Sequence, residues 1–143
     1  MAVTACTDVV VRYVWATWDR TPILTRAVRD GVYAAIAAAA SSVKCTVLRV
    51  GGIEDHVHVL VRLYPTVSVS EVAKRMKGGS SHFATHDLSR DSFVKWPGTY
   101  GAFRVGAEDM GPAMAYIDNQ AVHHASGRAR ADWERCMVED ANR

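Results

Sequence analysis

Asp55-His56-Val57-His58-Val59-Leu60-Val61-Arg62-Leu63 has the period of a β-strand, and its two faces differ in kind. Side chains alternate across a strand, so Val57, Val59, Val61 and Leu63 share one face. An apolar row of this kind calls for a cover of helices. His56, His58, Leu60 and Arg62 point the other way. Two imidazoles on one rigid face can share a divalent cation. A polar-out strand would carry the same triplet for no purpose but solubility, and both readings stand at this point.

Upstream, Gly51-Gly52 predicts a turn, and residues 44–50 a second strand. Leu24, Val28, Val32, Ala35, Ile36 and Ala39 recur at helical spacing, which predicts a helix over about 25–41. Thr21-Pro22 separates it from a β-branched and aromatic strand over 9–18. Downstream, Tyr64-Pro65 ends the histidine strand, and Ser68 with Glu71 forms a capping-box signal. The helix it opens runs to about residue 86, weakened by Gly78-Gly79. Pro97-Gly98 splits two short strands over 92–96 and 100–105. A last helix starts between residues 108 and 112, since Pro112 suits only a first turn, and reaches His123 or His124 before Gly127.

The order β-α-β-β-α-β-β-α predicts an α+β protein: a ferredoxin-like antiparallel sheet with helices on one face, plus a C-terminal helix. The other face of the sheet is expected to be open. The 143 residues fit one domain over 1–143, with the tail from about 125 peripheral.

Hydrophobic residues make up 49% and charged residues 22%, which excludes disorder and collagen-like repeats. No apolar run approaches the ~20 residues of a membrane span. Residues 1–8 lack the basic start and apolar centre of a secretory signal, so the cytoplasm is the expected compartment. Cys6, Cys45 and Cys136 form neither a disulfide framework nor a zinc-binding CxxC pattern. A net charge of +2 is too mild to announce a nucleic-acid partner by itself.

Tyr116 and Gln120 lie four apart on the last helix and share a face, a phenol beside a neutral oxygen ligand. A tyrosine that attacks phosphorus keeps the energy of the broken phosphodiester in a covalent bond. Tyrosine at helical spacing also serves ordinary packing. Lys74, Arg75, Lys77, Ser80 and Ser81 place cations and small hydroxyls on one helix, as a phosphate backbone requires. Arg62, Lys95 and Arg104 could extend that surface, with Trp96, Tyr100 or Phe103 stacking on unpaired bases. A solvated basic face reads the same way. His82 and His86 share a helix face without the glutamate of a metalloprotease motif, so they read as surface or DNA-proximal residues. His123, near the Tyr116 face, is a candidate for assisting proton transfer.

In combination these segments are more specific. The Asp-His-Val-His-Val-Leu-Val strand, the Ser-Val-Ser-Glu-Val helix with Lys-Gly-Gly-Ser-Ser, and the Tyr-Ile-Asp-Asn-Gln helix followed by His123-His124 occur in this order. So arranged, the chain resembles the single-tyrosine HUH transposases of the smallest bacterial insertion sequences and their domesticated REP-associated relatives. The resemblance runs from about Val10 to His124. It implies His56 and His58 as metal ligands, Gln120 as the third, and Tyr116 as the nucleophile. It further implies a magnesium or manganese cofactor, a homodimer, and hairpin-marked single-stranded DNA cut and rejoined through a 5′-phosphotyrosine. Two imidazoles by themselves favour softer ions such as manganese or zinc. Glu54 stands where proline is frequent, and His82 where a basic residue is. A domesticated nickase of repeated palindromes, a non-catalytic hairpin-binding regulator and a metal-dependent hydrolase are the alternatives.

Overall fold

Every residue of β1 (Val10–Ala16) is buried, as befits a strand with a partner on each side and cover on both faces. In the computed structural model, which describes residues 5–88 and 94–136, it is followed by α1 (Arg26–Ser42), β2 (Thr46–Ile53), β3 (His56–Arg62) and α2 (Val69–Phe83). Then come β4 (Gly101–Val105), α3 (Met110–Asp118), α4 (Gln120–Ala125) and the short α5 (Ala131–Glu134). The sheet order is β2-β3-β1-β4, and every pairing is antiparallel. Because β3 lies between β1 and β2, the chain forms the split β-α-β pair expected of a ferredoxin-like α+β fold.

Alternation along β1 and β3 assigns the faces. Val11, Tyr13 and Trp15 join Val57, Val59 and Val61 beneath Val32, Ile36 and Ala40 of α1 and Val72, Ala73 and Met76 of α2. Each fully buried aliphatic side chain here contributes about 1.5–3 kcal/mol. Ser68 caps α2 by accepting from the Glu71 backbone N–H at 3.1 Å. The Glu71 carboxylate does not close the box; it accepts from Arg75 Nε at 3.0 Å.

Four expectations change. Gly51 and Gly52 are not a turn; they lie within β2, opposite His58 and Val57, and the chain turns at Glu54-Asp55. The physical reason at Gly51 is proximity: a Cβ there would stand 2.5 Å from the Ile117 carbonyl oxygen, so glycine lets α3 lie close on the strand. The strand expected over 92–96 is not seen at Val94 and Trp96, which pack into the helix-covered core instead. Ser92 lies outside the described residues. The last helix is two helices, broken at Asn119. Finally, the face expected to be open is covered: Val10 and Leu60 are roofed by Ala113 and Ile117 of α3, with Trp133 of the C-terminal segment beside them. Among the described residues no helix is long and apolar enough to cross a membrane.

Candidate active site

His56 and His58 stand side by side on β3, their rings edge to face with centroids 5.3 Å apart. Across the ladder His56 faces Ala16 on β1 and Ile53 on β2, and His58 faces Val14 and Gly51. Both histidines are buried, 1% and 0% exposed. Their burial already separates them from a pair of solubility residues on a polar-out strand.

α3 crosses this face. Ala113 and Ile117 seat it on the sheet, which directs Tyr116 at the histidines; its ring meets His58 edge to face at 5.7 Å. Asn119 ends the helix by donating its amide to the Ala115 carbonyl at 2.7 Å. Gln120 then opens α4, with its amide nitrogen donating to Tyr116 O at 3.2 Å. That bond aims Gln120 Oε1 at the site, 3.1 Å from His56 Nε2 and 3.2 Å from His124 Nε2. Tyr116, His56, His58 and Gln120 therefore meet within one chain. His123 stacks on the Tyr116 ring at 4.7 Å, nearly parallel.

The C-terminal segment completes the cluster, and nothing in the sequence patterning pointed to it. Trp133 packs edge-on against Tyr116 at 4.9 Å, and its carbonyl accepts from Arg12 Nη1 at 2.6 Å. The Arg12 guanidinium also lies over the rings of Phe103 and Trp133. Gly101 admits the Arg135 carbonyl where any side chain would collide. These contacts hold Glu134 inward. Its Oε2 lies 3.0 Å from His56 Nε2 and 2.8 Å from His58 Nε2, while Oε1 accepts from the Tyr116 hydroxyl at 2.5 Å. Oε1 is also 3.2 Å from His124 Nε2. Donor atoms of His56, His124 and Glu134 all fall within 4.8 Å of one another.

Charge within the cluster follows from this geometry. Burial acts to raise the Glu134 pKa, but hydrogen bonds from His56 and His58 overcome it and hold the carboxyl well below its usual range. Burial likewise disfavours a charged His56, yet hydrogen bonds to Glu134 and Asp55 raise its pKa. His56 Nδ1 lies 2.8 Å from Asp55 Oδ1. His58, deeper and without a partner for Nδ1 among the described residues, is pushed down to about 4 by burial. Burial and the bond to Glu134 push the Tyr116 phenol up to about 12, although the Arg130 backbone N–H donates to its oxygen at 2.8 Å.

The remaining sequence candidates do not gather here. α2 lies behind the sheet, so Lys74, Arg75, Lys77, Ser80 and Ser81 sit on the side away from His56 and His58. Ser80 is wholly buried and donates to the Met76 carbonyl, with Trp96 Nε1 donating to its hydroxyl in turn. Lys77 donates to the Pro97 and Thr99 carbonyls, and Ser81 to Val94 O. Lys74 is exposed, Arg75 pairs with Glu71, and Lys95 lies over the Trp18 ring at 4.2 Å. Arg62 and Arg104 line one depression at the edge of the histidine face, where Arg62 also pairs with Asp8 at 3.1 Å. Trp96 and Tyr100 are not free stacking platforms, since they pack on Trp15 and Tyr13. His82 and His86 have ring centroids 4.3 Å apart on the same side as α2, away from the cluster.

Arg12 could have been found: it alternates with Val10 and Val14 on β1 and so shares the face of His58. Glu134 had no such signal, because it lies on a four-residue helix beyond the last periodic segment.

A ferredoxin-like sheet, a histidine pair on its central strand and a tyrosine helix laid across them suit an enzyme that works on phosphodiesters. The family model described as "Transposase IS200 like" matches residues 5–120, and the chain belongs to that family. In structure it is similar to a chain assigned as a transposase in Deinococcus radiodurans R1, with a TM-score of 0.63 and 21% identity over 84% of this chain and 96% of that one. It is also similar to a REP-associated tyrosine transposase bound to a REP hairpin, with a TM-score of 0.61 and 15% identity over 97% of this chain and 84% of the other. No curated protein matches the chain in sequence.

Proposed function

We propose that this transposase cuts and rejoins single-stranded DNA at hairpin-marked ends, with Tyr116 as nucleophile and one divalent cation held by His56, His58 and Gln120. The observation that carries the reading is the meeting of the Tyr116 hydroxyl and both imidazoles on a single carboxylate, within one chain. The donor set fits a small divalent cation: the buried His56 and His58 imidazoles both reach Glu134 Oε2, the Gln120 amide oxygen lies 3.1 Å from His56 Nε2, and the other nitrogen of His56 is oriented by Asp55. When bound, the cation would polarise the scissile phosphate and offset the charge gathering on its oxygens.

Tyr116 Oη attacks phosphorus in line, forming a 5′-phosphotyrosine as the bond to the 3′-oxygen breaks. The phenol loses its proton and the departing 3′-oxygen gains one, so the step consumes no net proton. At rest the phenol donates to Glu134 Oε1. Attack by a different 3′-hydroxyl reverses the chemistry and joins new ends. His123, stacked on the Tyr116 ring, limits rotation of the nucleophile. The REP hairpin held by the structural relative supports hairpin-bearing DNA as substrate. A homodimer is implied by the family resemblance, and the residues named here all come from one chain.

The test is a denaturant-resistant protein–DNA adduct formed on labelled single-stranded hairpin DNA with Mn²⁺. Tyr116→Phe should retain DNA binding and lose the adduct. Cleavage without any adduct in the wild type would assign a water-using hydrolase instead. An adduct that persists in the variant would move the nucleophile elsewhere.

A further inference from the structure

Resting on the cation site just described, we propose that Glu134 and His124 are further ligands of the same cation, delivered by the segment that follows the tyrosine helix. Four groups converge on the Glu134 carboxylate: His56 Nε2 at 3.0 Å, His58 Nε2 at 2.8 Å, His124 Nε2 at 3.2 Å and the Tyr116 hydroxyl at 2.5 Å. These nitrogens each offer a lone pair that a cation can take, and Gln120 Oε1 stands 3.1 Å from His56 Nε2.

Distances favour the same conclusion. The donor atoms of His56, His124 and Glu134 all lie within 4.8 Å of one another, with Glu134 oxygens 3.0 Å from His56 Nε2 and 3.2 Å from His124 Nε2, and His58 joins them through Glu134 Oε2 at 2.8 Å. Placement of Glu134 is built, not incidental. Its neighbours Trp133 and Arg135 are fixed against Tyr116, Arg12 and Phe103, and the carboxylate side chain is only 16% exposed. Three imidazoles with mixed oxygen ligands also suit Mn²⁺ better than Mg²⁺, which prefers oxygen alone.

The experiment measures Mn²⁺ binding to the full-length, DNA-free protein, by the electron paramagnetic resonance signal of unbound Mn²⁺. One tightly held ion per chain is expected, and Glu134→Gln should weaken its binding by at least about tenfold. The glutamine keeps the shape and can still accept from Tyr116, and circular dichroism checks the fold. Glu134→Asp, which retains the charge on a shorter arm, is measured in parallel so that loss of fold in one variant leaves the other to decide. Mn²⁺ bound by folded Glu134→Gln as tightly as by the wild type would overturn this inference alone. Undiminished binding after joint replacement of His56 and His58 by alanine would overturn the underlying cation site as well.

Discussion

The Tyr116 hydroxyl donates to Glu134 Oε1 at 2.5 Å across 18 residues of chain, so the group expected to attack phosphorus is engaged by its own C-terminal segment. Tyr116 is only 5% exposed in this arrangement. The exposure of the phenol thus depends on where that segment sits, which makes the stability of the segment a property worth measuring. Trp133 is its main anchor, touching Tyr116, the Arg12 guanidinium and Arg130. Trp133→Ala should remove about 1.5–3 kcal/mol of packing from the closed form. Opening then rises roughly tenfold or more, and the Arg130 amide, which donates to the Tyr116 oxygen, should exchange with deuterium that much faster. Unchanged exchange at Arg130 would show that the segment is held by other contacts.

Two neighbouring histidines should titrate on opposite sides of the ordinary imidazole value. Burial opposes charge on His56, but its bonds to Glu134 and Asp55 win and raise its pKa above 6.5. Burial dominates at His58 and lowers its pKa to about 4. For His58 the unfolded chain binds a proton near 6.5 that the folded protein refuses, so its contribution to stability falls between about pH 6.5 and 4. His56 works in the opposite sense: its contribution is complete below 6.5 and is lost as pH rises through its raised value. Imidazole NMR of the metal-free protein follows both. A shared midpoint near 6.5 would contradict the burial argument.

Two glycines separate close approach from helix propensity. A Cβ at Gly51 would press on Ile117 of α3, whereas one at Gly78 meets nothing within 4 Å. Gly51→Ala should therefore cost about 1–3 kcal/mol by overpacking and disturb the placement of Tyr116. Gly78→Ala, on the exposed side of α2, should gain up to about 1 kcal/mol. Urea unfolding of the two variants checks the contrast, and effects of equal sign would refute it.

How much of this was legible follows from which signals are local. Strand alternation assigned His56 and His58 to one face, and the capping residue Ser68 opened α2 where expected. Spacing of four put Tyr116 and Gln120 on a common side, though the break at Asn119 between them was invisible because nothing in Asp-Asn-Gln forbids a continuous helix. Gly51-Gly52 misled for a tertiary reason: glycine was there for the approach of a helix distant in sequence, not for a turn. Alternation on β1 already put Arg12 on the face of His58, whereas Glu134 had no local signal of its own. A lone glutamate in a polar tail acquires meaning only when the tail folds back over the sheet.

Cation binding should be coupled to folding in a way that needs no DNA. The proposed ligands come from β3, from α4 and from α5, so the unfolded chain brings none of them together. An ion that binds only the folded state stabilises it by about 2.7 kcal/mol at a concentration one hundred times its Kd. For a chain of this size that is roughly 5–10 °C in Tm. Mn²⁺ should produce this shift in a calorimetric scan, a chelator should reverse it, and equal Mg²⁺ should produce less because the donors include imidazole nitrogen. Replacing His56 and His58 together by alanine should abolish the Mn²⁺ shift even though the variant remains folded. A shift of undiminished size in that variant would mean that the ion stabilises the protein elsewhere, since of the three imidazoles that meet the Glu134 carboxylate beside Tyr116 only His124 would remain.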